Sequence, residues 1–198
     1  MGTHLDFDYK KAVQAVNYIA SKSGGNINKL KVIKLIYFAD RYHLRKYGRP
    51  ITNDEYFAME YGPVGSGVKD IAEMSQFLDP KEEKYASIFI SPSSNEVRSV
   101  NSCEIDVFSD SDMEALDFAW DKFGKYDQFE LASITHRYPE WKKHGQALVD
   151  LSRVKMSYKD FLDDPSENSE KCHSLDQEEK EDRLTHLREL QMIESLWS

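Results

Sequence analysis

The chain has 198 residues, 40% of them hydrophobic and 31% charged, with a formal net charge of -9 at pH 7. A chain of this length buries about 70% of its unfolded surface and needs no covalent staples, and two scattered cysteines, Cys103 and Cys172, exclude a disulfide framework and suit a reducing compartment. No apolar run reaches the ~18 residues of a membrane span and no signal-peptide core is present, so a soluble cytoplasmic protein without a membrane partner is expected.

In chain order, residues 8–21 form an amphipathic pattern with Tyr9, Ala12, Val13, Val16 and Ala20 on one stripe, capped by Asp6 or Asp8 and closed by Ser23-Gly24-Gly25. The next stretch, Asn28 to Tyr47, is the strongest helix pattern. Leu30, Ile33, Ile36, Tyr37, Leu44 and Tyr47 share one stripe, and Leu35, Phe38, Ala39 and Tyr42 lie opposite. A helix apolar over most of its circumference belongs among other elements. Asn28 caps its start, and Gly48 with Pro50 ends it. Asp40 interrupts the apolar stripe, so its carboxylate needs buried partners.

Thr52-x-x-Glu55 mimics a capping box ahead of a β-prone run, Tyr56 to Tyr61, which Gly62-Pro63 breaks. A helix is expected over Ser66 to Phe77, ended by Asp79-Pro80. Two short strands, Ser87 to Ile90 and Glu96 to Val100, flank a turn, and with Tyr56 to Tyr61 they suggest one small sheet. Ser111-x-x-Glu114 opens a helix to Phe123 with Met113, Leu116 and Trp120 on its stripe. Helices over Asp127 to His136 and Glu140 to Leu148 follow. Leu162 to His173 is polar and reads as a linker. Ser174-x-x-Gln177 then opens a last helix carrying Leu184, Leu187, Leu190, Ile193 and Leu196 at every third position.

The pattern is α+β, mainly α: a compact helical domain around a central buried helix, with a small antiparallel β-sheet or hairpin. The expected organisation is an N-terminal extension (1–6), a main domain (7–161), the linker (162–173) and a C-terminal amphipathic helix (174–198). Charge is uneven along it. Residues 1–49 hold ten Lys and Arg against three Asp, and residues 163–198 hold eleven Asp and Glu against four Lys and Arg. The basic third suits an acidic partner, a nucleic acid or the chain's own tail, or is simply a set of solvated helix faces.

Four blocks carry a resemblance. Lys34 to Asp40 reads KLIYFAD, Gly48 to Thr52 reads GRPIT, and Tyr56 to Val64 reads YFAMEYGPV; a later block, Leu131 to Trp141, reads LASITHRYPEW. Over roughly Phe7 to Gly145 the chain closely resembles the Panacea domain family, the SocA-like antitoxins that include phage-associated GepA-type proteins. The resemblance implies a bacterial antitoxin that neutralises a cognate protein toxin by direct binding. It further implies, as an expectation, delivery of that toxin to a ClpXP-type protease. The acidic tail lies outside it.

No phosphate loop, dinucleotide fingerprint or CxxC pair is present, so no cofactor, metal site or catalytic residue is expected. Asp40 and His43 share a helix flank, where they suit an oriented base, a partner contact or, as preferred here, structural hydrogen bonding. Residues placed in a partner contact are Tyr42, His43, Tyr61 and Pro63 in the central stretch, His136 and Trp141 in the later block, and Leu187 and Leu190 in the tail. Asp40 is placed as a buried structural group. The competing reading is a nucleic-acid-binding regulator whose Lys29, Lys31, Lys34, Arg41, Arg45, Lys46 and Arg49 contact phosphates.

Overall fold

A computed structural model describes residues 6–165 and 173–196. Helix α1 (Tyr9–Lys22) begins at Asp8, whose carboxylate accepts the Lys11 amide at 3.1 Å. Strand β1 (Asn26–Asn28) leads into α2 (Lys29–Tyr47), capped by the Asn28 side chain and closed by Gly48 in the left-handed region at φ 80°. Every residue from Val32 to Arg41 is buried. That follows from the apolarity of α2 around its whole circumference: it lies inside the molecule and other elements wrap it.

Strands β2 (Tyr56–Met59) and β3 (Gly62–Gly65) form an antiparallel hairpin. Helix α3 (Ser66–Glu73) and α4 (Pro80–Phe89) follow, then β4 (Ile90–Pro92) and β5 (Glu96–Ser99). Helix α5 (Asp110–Phe123) is the main neighbour of α2, through a Phe38–Phe123 stack at 3.8 Å and a Tyr42–Phe118 stack at 4.0 Å. Helices α6 (Gln128–Thr135) and α7 (Pro139–Lys142), strand β6 (Arg153–Lys155) and helix α8 (Gln177–Ser195) complete the chain. Two antiparallel three-stranded sheets have the orders β1-β5-β4 and β3-β2-β6. The class is α+β, mainly α.

Several local expectations are corrected. Strands β4 and β5 form a sheet with β1, so β2 sits in a different sheet from them. Asp79-Pro80 starts a helix: Asp79 and Glu82 form a capping box with Pro80 in the first turn, and that helix takes up Ser87 to Phe89, which read as strand. The helix expected to Phe77 stops at Glu73, where Met74 turns left-handed at φ 48°. Helix α5 is capped by Ser109 with Asp112, not by Ser111 with Glu114. At α8 the reciprocal cap is Asp176 with Glu179. Thr52 caps no helix, because Asp40 holds its amide and hydroxyl. The helix expected over Glu140 to Leu148 ends at Lys142, and a 3-10 turn follows at Ala147–Val149.

Two segments beyond residue 160 enter the core. Phe161 is 0% and Leu162 2% exposed, and Leu187 of α8 is 2% exposed within the same apolar cluster. Residues 166–172 of the polar segment, and Trp197, lie outside the described residues.

Candidate partner interface

The separated sequence blocks meet at one corner of the molecule. Gly62 opens β3 at φ 93°, and a Cβ there would collide with the Thr135 hydroxyl, which donates to Ala132 O at 2.7 Å. The Lys34 ammonium, 0% exposed, donates to Pro63 O at 2.5 Å. Burial without a carboxylate partner holds Lys34 down to about 7. Trp141 donates its indole N–H to Met59 O at 2.9 Å, and the His136 ring stacks on it at 3.8 Å. Burial, and then the Lys34 charge, hold the His136 imidazole below its usual range.

Beneath this corner, a buried polar network joins α2 to α7 and to the segment leading toward the tail. Glu140 Oε1 accepts from Tyr37 at 2.5 Å and from Arg41 Nε at 2.6 Å. Arg41 lies over the Tyr138 ring at 4.4 Å and donates to Asp163 O at 2.7 Å. One turn on, Arg45 donates to His173 O at 2.8 Å and Phe161 O at 3.1 Å, and pairs with the Asp164 carboxylate. Asp40 accepts the Ile51 and Thr52 amides at 2.8 and 3.1 Å, the Thr52 hydroxyl at 2.5 Å and the Tyr56 hydroxyl at 2.8 Å. Burial pushes its carboxyl up, against those donors.

The residues placed in a partner contact divide between the two ends of α2. Tyr61, Pro63, His136 and Trp141 share the corner, with Tyr61 51% exposed and Pro63 buried. Tyr42, His43, Leu187 and Leu190 lie at the far end. There Tyr42 and Tyr47 donate to Glu114 at 2.6 and 2.5 Å. His43 is 0% exposed: its Nδ1 donates to Arg49 O at 2.6 Å, its Nε2 faces Ser111 Oγ at 3.0 Å and Asp112 at 3.2 Å, and burial holds it down to about 4. No hydrogen bond joins Asp40 to His43, and both are occupied by the protein itself. His43, Pro63 and Leu187 are therefore covered by their own fold. Leu190 is half-buried, Met192 and Ile193 are exposed on α8, and Leu196 is exposed just past its end.

The seven cations of the nucleic-acid reading do not form a phosphate-facing surface. Lys34, Arg41 and Arg45 are buried, Lys31 donates to Gly124 O at 2.7 Å, and Lys29 donates to Ser93 O at 2.6 Å. Lys46 pairs with Glu114 at 2.5 Å and Arg49 with Asp112 at 3.1 Å.

Next to the corner lies an open groove of about 840 Å³. Leu30 and Ile33 of α2, Met59 of β2 and Val64 of β3 make its floor, and Tyr61 and Leu151 stand at its edge. Glu140 and Leu151 were not singled out from the sequence, and Arg41 and Arg45 were placed on a phosphate-contacting face, not in a buried network. The available signal was two arginines four residues apart in an otherwise apolar helix. Among the described residues no three His, Cys, Asp or Glu side chains converge to hold a metal ion, and no helix is long and apolar enough to cross a membrane.

The model of one family, the SocA-like antitoxin Panacea domain, matches residues 32–142. That span contains α2 from Val32 onward, the β2–β3 hairpin and the α6–α7 corner. No curated protein and no solved structure matches. The match covers more than half of the chain and ends at the corner just described, so the chain belongs to the SocA-like Panacea antitoxin domain family.

Proposed function

We propose that this protein silences a partner protein toxin by direct contact, acting as a stoichiometric binder and not as an enzyme. Family membership supports an antitoxin role and, with it, a cognate toxin. The observation that carries the reading further is where the chemistry points. Asp40, Arg41, His43 and Glu140, the side chains best suited to catalysis, are all 0% exposed and bonded to the fold. The exposed surface instead offers apolar area in the groove next to the corner, the usual material of a protein contact.

The test is a titration. A neighbouring gene product that is toxic alone is assayed for its activity with increasing amounts of this protein. Neutralisation is expected to complete at a fixed stoichiometric ratio, with a complex recovered by gel filtration. Neutralisation by a small fraction of an equivalent, with the toxin left altered and uncomplexed, contradicts the reading.

A further inference from the structure

The 840 Å³ groove has a charge pattern that specifies its occupant. Its size lies within the range of built binding clefts, and its floor of Leu30, Ile33, Met59 and Val64 is apolar. Three further exposed apolar side chains crowd its edge and the turn beside it: Tyr61 at 51%, Leu151 at 55% and Val149 at 76% exposure. Clustered exposure of this kind marks an interaction surface more often than isolated exposure does.

Of the four charged residues around the groove, Lys69 and Glu73 neutralise each other, paired at 2.6 Å. The Lys29 ammonium keeps its charge but has its donors engaged by the backbone carbonyls of Ser93 and Ser94 at 2.6 and 3.2 Å. Glu60, exposed at the tip of the β2–β3 hairpin, has no side-chain partner among the described residues. An occupant that matches this surface brings apolar side chains for the floor and one cation for Glu60.

Resting on the antitoxin reading, we propose that the groove receives a segment of the partner toxin in which apolar side chains lie beside a Lys or Arg. The apolar side chains seat between Tyr61 and Leu151, and the cation pairs with Glu60.

The experiment uses the full chain in three variants, Tyr61→Asp, Leu151→Asp and Glu60→Lys. All three alter exposed side chains, so unchanged melting is expected. Nile red, a neutral apolar dye, probes the groove without any toxin: its emission should rise with the wild type and lose most of that rise with Leu151→Asp. Affinity for the toxic neighbouring gene product is then measured by calorimetry. Tyr61→Asp and Leu151→Asp should each weaken it at least tenfold, and Glu60→Lys several-fold, with the loss shrinking at high salt. Wild-type affinity in all three variants overturns the groove proposal while leaving the antitoxin reading in place. Dye binding that Leu151→Asp removes, with toxin affinity unchanged, assigns the groove to a small apolar molecule and also overturns it. A wild-type protein that neither binds nor neutralises the neighbouring toxin defeats the antitoxin reading itself, and the proposal with it.

Discussion

Asp40 holds two backbone amides and two hydroxyls in a site with 0% exposure. Asparagine keeps the volume but turns an NH2 toward groups that all donate, so Asp40→Asn should lower stability by ~1–3 kcal/mol in chemical denaturation; unchanged stability would contradict the network. Lys34 makes a pH prediction. Its folded-state value of about 7 lies well below the ~10.4 of an unfolded lysine, so between these values the unfolded chain binds more protons. Stability should therefore rise from pH 7 toward pH 10 through this group, and Lys34→Met should flatten that part of the profile. A wild-type profile that falls over the same window, or a slope that survives Lys34→Met, would refute the assignment. Asp40 was legible in the sequence because a carboxylate interrupts an apolar stripe. Glu140 was not: in the sequence it is one more charge beside a proline, and its partner Arg41 is 99 residues away.

Helix α8 presents two faces with different duties. Its inner face buries Leu187 in the core, and Arg183 donates to the carbonyls of Arg45 and Lys46 at 3.2 and 2.9 Å, satisfying the exposed end of α2. Leu187→Ala should cost ~2–4 kcal/mol, whereas Leu196→Ala, at a position 78% exposed, should leave the melting temperature unchanged. Equal effects from the two substitutions would contradict the docked geometry. Most helices were readable from apolar period and caps; α4 was not, because Asp79-Pro80 read as a stop and Ser87 to Ile90 as a strand, and the capping error at α5 fell between two nearby serines. The sequence reading places the α5 cap at Ser111-x-x-Glu114, whereas the structure uses Ser109 with Asp112. The Ser109 cap fits because Asp112 also pairs with Lys11 at 2.7 Å and Arg49 at 3.1 Å, while Glu114 faces the tyrosines of α2. Sheet membership was not readable, since three-residue strands such as β1 and β6 carry too little alternation to declare a partner.

Over the whole molecule, sequence blocks far apart in the chain are fastened at one corner by contacts that tolerate little change. Gly62→Ala would force a left-handed backbone on a β-carbon and press it into Thr135, so a loss of more than ~1 kcal/mol is expected in thermal melts. The uneven charge of the chain is spent largely inside it: Arg45 meets Asp164, Lys180 meets Asp163, and the cations of α2 satisfy carbonyls and carboxylates. What the fold leaves outward is the apolar groove with Glu60 at its edge, which suits recognition of a protein more than of a phosphate backbone. The most direct measurement is co-expression with the neighbouring toxic gene, followed by purification. Restored growth with a complex of fixed stoichiometry is the predicted result; persistent toxicity, with neither protein carried by the other, would contradict the account.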